Sequence, residues 1–367
     1  MLRSIERKKD KKGKKSNKIL ILDQSRLPHE IKDIECARWQ QVARCIERLK
    51  IRGAPAIGIA AAMGVALGAG SVRAGGYEGL AKSLEPVFRG LNATRPTAVN
   101  LKWALDRMRA RLVLSRGLPV SEIKEALWRE ADLIHEEDIR INRTIGQWGA
   151  QFIKDGDVVL THCNAGALAT GGYGTATAAI FVAHEQGRKI HVMVDETRPV
   201  LQGARLTALE MKEAGIPMTL ITDNSAGALL RRGEIDLAIV GTDRTARNGD
   251  VANKIGTYSV AVLCRENGVP FYVAAPLSSI DFNMASGDSI PIEERAAEEV
   301  TCIGGSRVAP KGVCALNMAF DVTPAKYVTA IITELGAFSP ANLKKLADGK
   351  AKDAKELEKI RYLPGKK

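Results

Sequence analysis

The sequence lacks the segments that mark membrane-spanning, secreted and zinc-stabilised proteins. Its longest run of small apolar residues, Ala54 to Ala69, falls short of the ~20 apolar residues that cross a bilayer, so it predicts a buried helix. The basic amino-terminal residues are not followed by the apolar core of a signal peptide. The six cysteines form no Cys-x-x-Cys pair, which disfavours a structural zinc site and a disulfide framework. These absences predict a protein of the reduced cytoplasm.

The usual fingerprints of nucleotide and nucleic-acid binding are missing too. The glycine-rich stretch GALATGGYGTATAA (166–179) does not place its glycines in the GxGxxG register, and no GxxxxGK[ST] motif occurs. Aromatic residues make up 5% of the chain and do not interleave with the basic residues, which disfavours nucleic acid as a partner. What remains is a predicted helix start near Thr175, which is a general anion-binding feature.

Positive charge is concentrated at the amino terminus. Residues 1–18 contain nine basic and two acidic side chains, so they account for +7 of the net charge of +12. We predict that residues 1–18 form a disordered, solvated tail, with contact to nucleic acid or an anionic surface as the alternative. Residues 341–367 are rich in lysine and are predicted to form a surface helix or tail.

Two kinds of pattern divide the rest of the chain near residue 153. Residues 19–153 predict a mainly helical domain with a small β-sheet formed by Lys18–Asp23 and Ile31–Cys36. Residues 154–340 instead alternate short apolar runs with helical stretches. This alternation predicts an α/β domain with a Rossmann-like parallel sheet. The predicted strands are Val158–Thr161, Ile190–Val194, Met218–Ile221, Leu237–Val240 and Phe271–Ala274.

Reactive side chains follow several of these predicted strands. Cys163 comes directly after the first strand inside a turn rich in glycine and alanine, and Asp243 follows the fourth. Ligands of parallel α/β sheets bind beyond the carboxyl ends of the strands, so Cys163 and Asp243 are candidates for acid/base chemistry. A buried structural thiol remains the alternative for Cys163. His162 is adjacent, but strand alternation predicts that it points away from Cys163.

Three basic residues lie in contexts that suit a phosphate site. Arg52 stands beside Gly53-Ala54, Arg95 lies in a loop between predicted helices, and Lys254 precedes a predicted helix. Each residue alone is more typical of a solvated surface charge. Together with the surrounding small residues they favour a small phosphorylated substrate.

Longer stretches are specific enough to indicate a family. They are DQSRLP (23–28), IRGAPAIGIAAAMGVALG (51–68), TRPTAVNL (94–101), THCNAGALATGGYGTA (161–176), DETRPVLQGARLTALEM (195–211), GTDRTARNGDVANKIGTY (241–258), PFYVAAPLSSIDF (270–282) and AFDVTPAKYVTAIITELG (319–336). They closely resemble the methylthioribose-1-phosphate isomerases, over roughly residues 19–338. That family shares a superfamily with ribose-1,5-bisphosphate isomerases and with regulatory subunits of the translation-initiation nucleotide-exchange factor.

The resemblance implies that Cys163 and Asp243 form the catalytic pair. It also implies a substrate-binding set, mostly around the phosphate: Arg52, Gly53, Ala54, Arg95, Gln202, Asn253 and Lys254. It further implies a homodimer that needs no metal or organic cofactor. Thr222-Asp223-Asn224 stands where the family usually has Cys-Asp-Ser, and Asn317-Met318 replaces Asn-Pro. These departures lie outside the implied catalytic pair and leave the breadth of substrates open.

The implied reaction converts 5-methylthioribose 1-phosphate to 5-methylthioribulose 1-phosphate in methionine salvage. The esterified anomeric oxygen prevents spontaneous ring opening, so the enzyme must open the ring and move hydrogen from C2 to C1. Asp243 suits proton exchange, while Cys163 either acts as the base at C2 or assists a hydride shift. The alternatives are an isomerase of 5-deoxyribose 1-phosphate or ribose 1,5-bisphosphate, and a non-catalytic regulatory subunit that binds sugar phosphates.

Overall fold

A computed structural model describes residues 2–10, 12–95, 98–347 and 354–364. The fold is mixed α/β, and the chain forms two compact units. The N-terminal unit comprises Leu2–Ile141 and Ala167–Gly172, and the C-terminal unit comprises Asn142–Gly166 and Tyr173–Lys367. The division therefore falls earlier than the boundary that the sequence predicts near residue 153. The short segment Ala167–Gly172, although it follows that boundary, belongs to the N-terminal unit.

The N-terminal unit is mainly helical and begins with a small antiparallel sheet. Its strands β1 (Ile5–Lys9), β2 (Lys15–Leu22) and β3 (Asp33–Cys36) pair in the order β1–β2–β3. The helices that follow are α1 (Trp39–Glu47), α2 (Ala54–Ser71), α3 (Tyr77–Thr94), α4 (Val99–Leu114) and α5 (Val120–Ala150), and the division between the units lies within α5.

Helix α2 forms the core of the N-terminal unit because its side chains are almost all small and apolar. Every residue from Ala56 to Ala69 is buried, and Pro55 lies in the first turn, where its missing N–H leaves no helical bond unmade. Among the helices of the described residues, α2 is the one long and apolar enough to cross a membrane. Most of it is buried inside the protein, as in the predicted buried helix.

The structure differs from the disordered tail predicted for residues 1–18. Ile5 is 1% exposed and lies opposite Ile21 of β2. Arg7 stacks over the Trp128 ring at 4.0 Å from its centroid. Composition hides this strand because a half-buried strand needs few apolar side chains: in β1 Ile5 is buried, Lys8 is half-buried and Lys9 is exposed.

The C-terminal unit is built on a mostly parallel sheet. Its elements are, in chain order, β4 (Val158–Thr161), α6 (Ala176–Glu185), β5 (His191–Asp195), α7 (Ala208–Glu213), β6 (Met218–Ile221), α8 (Ser225–Arg231), β7 (Leu237–Val240), β8 (Arg244–Ala246), β9 (Val251–Lys254), α9 (Thr257–Glu266), β10 (Phe271–Ala274), β11 (Ile280–Asp281), α10 (Glu298–Thr301), β12 (Cys302–Ile303), β13 (Ser306–Arg307), β14 (Phe320–Thr323), β15 (Ala330–Thr333), β16 (Gly336–Phe338), α11 (Pro340–Ala347) and α12 (Ala354–Ile360).

Within the described residues this sheet has the order β16–β15–β10–β7–β4–β5–β6. All neighbouring strands are parallel except β16, which runs antiparallel to β15. Strands β4, β6, β7 and β10 have the limits that the apolar runs predict, and β5 begins and ends one residue later. The carboxyl ends of β4, β5 and β7 therefore lie side by side at one edge.

A second sheet, β11–β8–β9–β14, holds Asn253 and Lys254, the latter of which the sequence predicts to precede a helix. Asn253 and Lys254 lie in β9 and pair antiparallel with β14, while α9 begins only at Thr257. Lys254 thus precedes a helix, as predicted, but Ile255 and Gly256 separate it from α9, and it lies in a strand that the pattern did not indicate. Its partner β14 lies far along the chain, so the local pattern could not indicate this pairing.

We predict that Ile5→Ala lowers the free energy of unfolding by about 2–5 kcal/mol, because it leaves a cavity in the core. Lys9→Ala, at the exposed end of the same strand, should change it by less than about 0.5 kcal/mol. Urea unfolding of the full chain measures both values. Equal, small effects would indicate that residues 1–18 are not part of the folded protein.

Candidate active site

Cys163 lies just beyond β4, with its backbone in an unusual conformation. Its φ is 66°, in the left-handed region, and the residue is half-buried. Its N–H donates to Thr197 Oγ1 at 2.8 Å, and its carbonyl oxygen accepts from Thr207 Oγ1 at 2.7 Å. Two threonine hydroxyls thus hold the peptide groups of Cys163 in a conformation that few side-chain-bearing residues adopt.

Thr197, beyond the end of β5, is also left-handed, with a φ of 65°. A β-branched residue in this region is a clear outlier. The Thr197 N–H donates to Asp223 Oδ1 at 2.8 Å, and its hydroxyl donates to the Asp195 carbonyl at 3.1 Å. Left-handed residues held in this way cluster at functional sites, and two of them meet here through one hydrogen bond.

His162 is buried beneath this edge and hydrogen-bonded through both ring nitrogens. Nδ1 lies 2.9 Å from Asp195 Oδ2, and Nε2 lies 2.9 Å from the Ile255 carbonyl oxygen. Burial lowers the pKa of His162, but the hydrogen bond and charge of Asp195, together with Asp223 and the Ile255 carbonyl, raise this pKa above its ordinary value. Because an oxygen partner faces each ring nitrogen, one proton lies on Nε2 and another lies between Nδ1 and Asp195 Oδ2.

The donor atoms of His162, Asp195 and Asp223 lie within 4.8 Å of one another, as metal ligands would. Both oxygens of Asp223, however, accept backbone N–H groups, from Thr197 at 2.8 Å and from Arg198 at 2.7 Å. Both nitrogens of His162 are likewise committed to protein partners. This arrangement fits a hydrogen-bond network better than a metal site.

Asp243 follows β7, the strand next to β4 in the sheet. It is half-buried, and its N–H donates to the Ala252 carbonyl at 3.0 Å. Because β4 and β7 are parallel neighbours, Cys163 and Asp243 both lie at the carboxyl ends of adjacent strands. This is the position that ligand chemistry favours in parallel sheets.

Asn253 and Lys254 are buried in β9, nearby along the chain. Asn253 Nδ2 donates to Thr257 Oγ1 at 3.0 Å. Lys254 Nζ donates to the Ala319 carbonyl at 2.8 Å and lies 4.3 Å from the Phe320 ring centroid. The amide and the ammonium are thus held in fixed positions by the second sheet rather than moving freely on the surface.

Gln202 is buried just before the π-helical turn Gly203–Thr207, which carries Thr207 to Cys163. Within the described residues, no donor reaches Gln202 Oε1, Asn164 Oδ1 or Asp195 Oδ1, although all three atoms are buried. Buried polar atoms in native proteins are nearly always paired. The described protein atoms supply no donor to Gln202 Oε1, so a hydroxyl-bearing ligand beside it would satisfy this oxygen.

The other predicted site residues belong to the N-terminal unit. Arg52 is half-buried and precedes Gly53, which caps the start of α2 beside Ala54. A Cβ on Gly53 would lie 2.4 Å from the Ala169 Cα, so this backbone approach excludes a side chain. Arg95 is half-buried after α3, and residues 96 and 97 lie outside the described residues.

Sequence reasoning assigned no role to Thr197, Thr207 or Asp195. Asp195 and Thr197 follow a predicted strand, so their position indicated the functional edge of the sheet. Their residue types did not point to a specific role. Thr207 lies inside a helical turn, where nothing in the local pattern points to Cys163. The left-handed conformations of Cys163 and Thr197 are visible only in the structure.

Comparisons with known proteins agree on one family. The model of the initiation factor 2 subunit family matches residues 50–340. The curated methylthioribose-1-phosphate isomerase of Geobacter sp. (strain M21) is 56% identical over 322 residues, which cover 88% of this chain and 93% of that protein.

Two solved structures are also similar over nearly the whole chain. The 5-methylthioribose 1-phosphate isomerase from Pyrococcus horikoshii OT3 is 44% identical with a TM-score of 0.87, covering 95% of this chain and 96% of that one. Subunit delta of translation initiation factor eIF-2B from A. fulgidus is 42% identical with a TM-score of 0.82, covering 98% of this chain and 100% of that one.

We predict that Gly174→Ala destabilises the turn after Cys163 more than a matched substitution elsewhere. Gly174 and Gly187 both have positive φ, 80° and 83°, so alanine at either costs about 1–2 kcal/mol. A Cβ on Gly174 would also lie 2.4 Å from the Gly166 Cα, whereas Gly187 has open space. Urea unfolding should show an additional loss of about 1–3 kcal/mol for Gly174→Ala; equal losses would contradict the crowding.

Proposed function

The chain belongs to the initiation factor 2 subunit family and, within it, to the methylthioribose-1-phosphate isomerases, and from this membership we propose that it converts 5-methylthioribose 1-phosphate to 5-methylthioribulose 1-phosphate with Cys163 and Asp243 as its catalytic residues. The observation that carries this proposal is the placement of the two residues. Cys163, with a left-handed backbone, follows β4, and Asp243 follows the neighbouring strand β7. The reaction is an aldose–ketose isomerisation.

Asp243 and Cys163 divide the proton transfers of this reaction. The phosphate at C1 locks the sugar as a ring, so the ring oxygen must receive a proton as the ring opens. Asp243 donates that proton and then exchanges the proton of the C2 hydroxyl. Cys163 removes the hydrogen at C2 as a base, giving an enediol-like intermediate that is reprotonated at C1. A site that excludes water strengthens both transfers.

The remaining residues bind the substrate. Lys254, Arg52 and Arg95 supply positive charge for the phosphate dianion, and the amide groups of Gln202 and Asn253 suit the sugar hydroxyls. The buried, unpaired Gln202 Oε1 supports this assignment, since a hydroxyl group would satisfy it. Gly53 and Ala54 at the start of α2 complete the set with backbone N–H groups.

The same membership supports wider expectations. We place the chemistry on a Rossmann-like domain that follows a helical domain, with 154–340 and 19–153 as their approximate limits. We propose a cytoplasmic homodimer. A short stretch exposes four apolar side chains, those of Val308, Val313, Leu316 and Met318, with Leu316 at 70%. A dimer contact there would remove them from water.

A non-catalytic regulatory subunit is the second candidate, because the A. fulgidus structure named for a translation factor is 42% identical. The pairing of a half-buried cysteine and aspartate on adjacent strand ends favours the enzyme. An isomerase for ribose 1,5-bisphosphate or 5-deoxyribose 1-phosphate would share this pair, so substrate comparison decides between the enzymes.

We predict that Cys163→Ser and Asp243→Asn each lower kcat for 5-methylthioribose 1-phosphate by about two or more orders of magnitude, since each removes a proton-transfer group. Turnover is measured beside that of 5-deoxyribose 1-phosphate and ribose 1,5-bisphosphate, and 5-methylthioribose 1-phosphate should give the highest kcat/KM.

Matched controls separate chemistry from folding. Cys314→Ser changes an exposed thiol, and Asp236→Asn changes an exposed carboxylate at the opposite end of β7. Both should keep nearly full turnover, and all four variants should retain the circular dichroism of the unmodified chain. Near-normal turnover in Cys163→Ser or Asp243→Asn would refute the assigned role.

The enediol-like route makes a separate prediction about hydrogen at C1. In deuterated water, proton removal by Cys163 should allow solvent deuterium to appear at C1 of the product, which NMR or mass spectrometry detects. A product without solvent deuterium at C1 would favour a direct hydride shift and would count against the enediol-like intermediate.

A further inference from the structure

A buried imidazole connects the strand that leads to Cys163 with the strand that carries Asn253 and Lys254. His162 is 1% exposed, and its Nε2 lies 2.9 Å from the carbonyl oxygen of Ile255, the residue after Lys254. A carbonyl oxygen has no hydrogen to donate, so Nε2 must be the donor in this bond. The first sheet thus holds the second by a bond adjacent to Lys254.

The Nε2–H bond does not depend on where the proton at the other ring nitrogen lies. Nδ1 shares one proton with Asp195 Oδ2 across 2.9 Å. Whether that proton lies on the ring or on the carboxyl group, Nε2 keeps its own hydrogen. Asp223 Oδ1 lies 4.0 Å from Nδ1, and the negative charge of Asp321 also interacts with the ring. Both favour its protonated form.

The turn that follows Lys254 is fitted around this ring. Gly256 has a φ of 102°, and a Cβ there would lie 2.9 Å from His162 Cε1. The Gly256 N–H donates to Asp321 Oδ2 at 2.7 Å, and the Tyr258 N–H donates to Asp321 Oδ1 at 3.1 Å. The peptide group between Ile255 and Gly256 is therefore held on both sides, its carbonyl oxygen by His162 and its N–H by Asp321.

From these contacts we infer that His162 is a positioning residue, whose Nε2–H bond to Ile255 sets Asn253 and Lys254 relative to Cys163. The inference rests on the proposed function, in which Cys163 reacts and Lys254 binds the phosphate. Its effect on the substrate passes through Ile255, so loss of the bond weakens substrate binding more than the chemical step.

Two amide substitutions at His162 each keep one of the two hydrogen bonds of the ring and remove the other. In His162→Gln the side-chain amide reaches the position of Nε2 and can still donate to Ile255. In His162→Asn the amide reaches only the position of Nδ1 and keeps the bond to Asp195. We expect His162→Asn to raise KM for 5-methylthioribose 1-phosphate about tenfold, the factor of one hydrogen bond of ordinary strength.

His162→Gln should leave KM within about threefold of the unmodified enzyme, and kcat should change little in either variant. His184→Gln, a partly exposed histidine in α6, is the control for histidine replacement. A purely structural role would lower the active fraction in both variants without a difference in KM. Equal KM values for His162→Asn and His162→Gln would therefore overturn the inference.

If the His162 variants do not fold, Asp195→Asn tests the same inference. It keeps the ring and its Nε2–H bond while removing the carboxylate, so KM should stay near that of the unmodified enzyme. A KM for Asp195→Asn raised about tenfold, as expected for loss of the Ile255 bond, would contradict the inference.

The pH profile separates positioning from proton transfer. The kcat profile of His162→Gln should match that of the unmodified enzyme, and a lost limb would assign His162 a proton-transfer role instead. If the unmodified chain shows no isomerase turnover, the proposed function fails; if it turns over and the KM values agree, the positioning role alone fails.

Discussion

Cys163 keeps a left-handed backbone because hydroxyl groups from two other segments hold its peptide groups. Thr197 accepts its N–H and Thr207 donates to its carbonyl. A left-handed side-chain-bearing residue costs about 1–2 kcal/mol, and Thr197 has the same cost. Hydrogen bonds of about 0.5–1.5 kcal/mol each offset this only in combination. The direction of the Cys163 thiol therefore depends on the ends of β4 and β5 and on the π-helical turn together.

The same bonds extend into a buried network of ionisable groups. Asp223 fixes Thr197 by accepting its N–H, and Asp195 is paired with His162. Burying a lone charge is costly, whereas a pair that shares one proton remains neutral as a unit. This neutrality lets the ring of His162 lie inside the protein and reach Ile255. The same hydrogen-bond network therefore stabilises both the left-handed backbone of Cys163 and the position of Lys254.

The sequence predicts the part of this arrangement that depends on local pattern. Apolar runs gave β4, β6, β7 and β10 their limits, and strand ends pointed to Cys163 and Asp243. Gln202 came from family resemblance, because nothing in its surroundings marks it. The strand β9 and the ordered β1 were missed, since each is stabilised by a partner distant in sequence. The left-handed conformation of Cys163 arises from Thr197 and Thr207, which no local period reveals.

Placing Lys254 in a strand rather than at a helix start changes how it would recognise phosphate. A helix start offers several backbone N–H groups, whereas a strand offers the side chain alone. The Lys254 ammonium is already buried, and the Ala319 carbonyl and the Phe320 ring orient it. Much of its desolvation is therefore complete before a substrate arrives, and a less polar environment strengthens its attraction to a phosphate dianion. That gain depends on correct placement, because an ammonium held by a strand cannot follow a displaced phosphate; the bond from His162 to Ile255 supplies this placement.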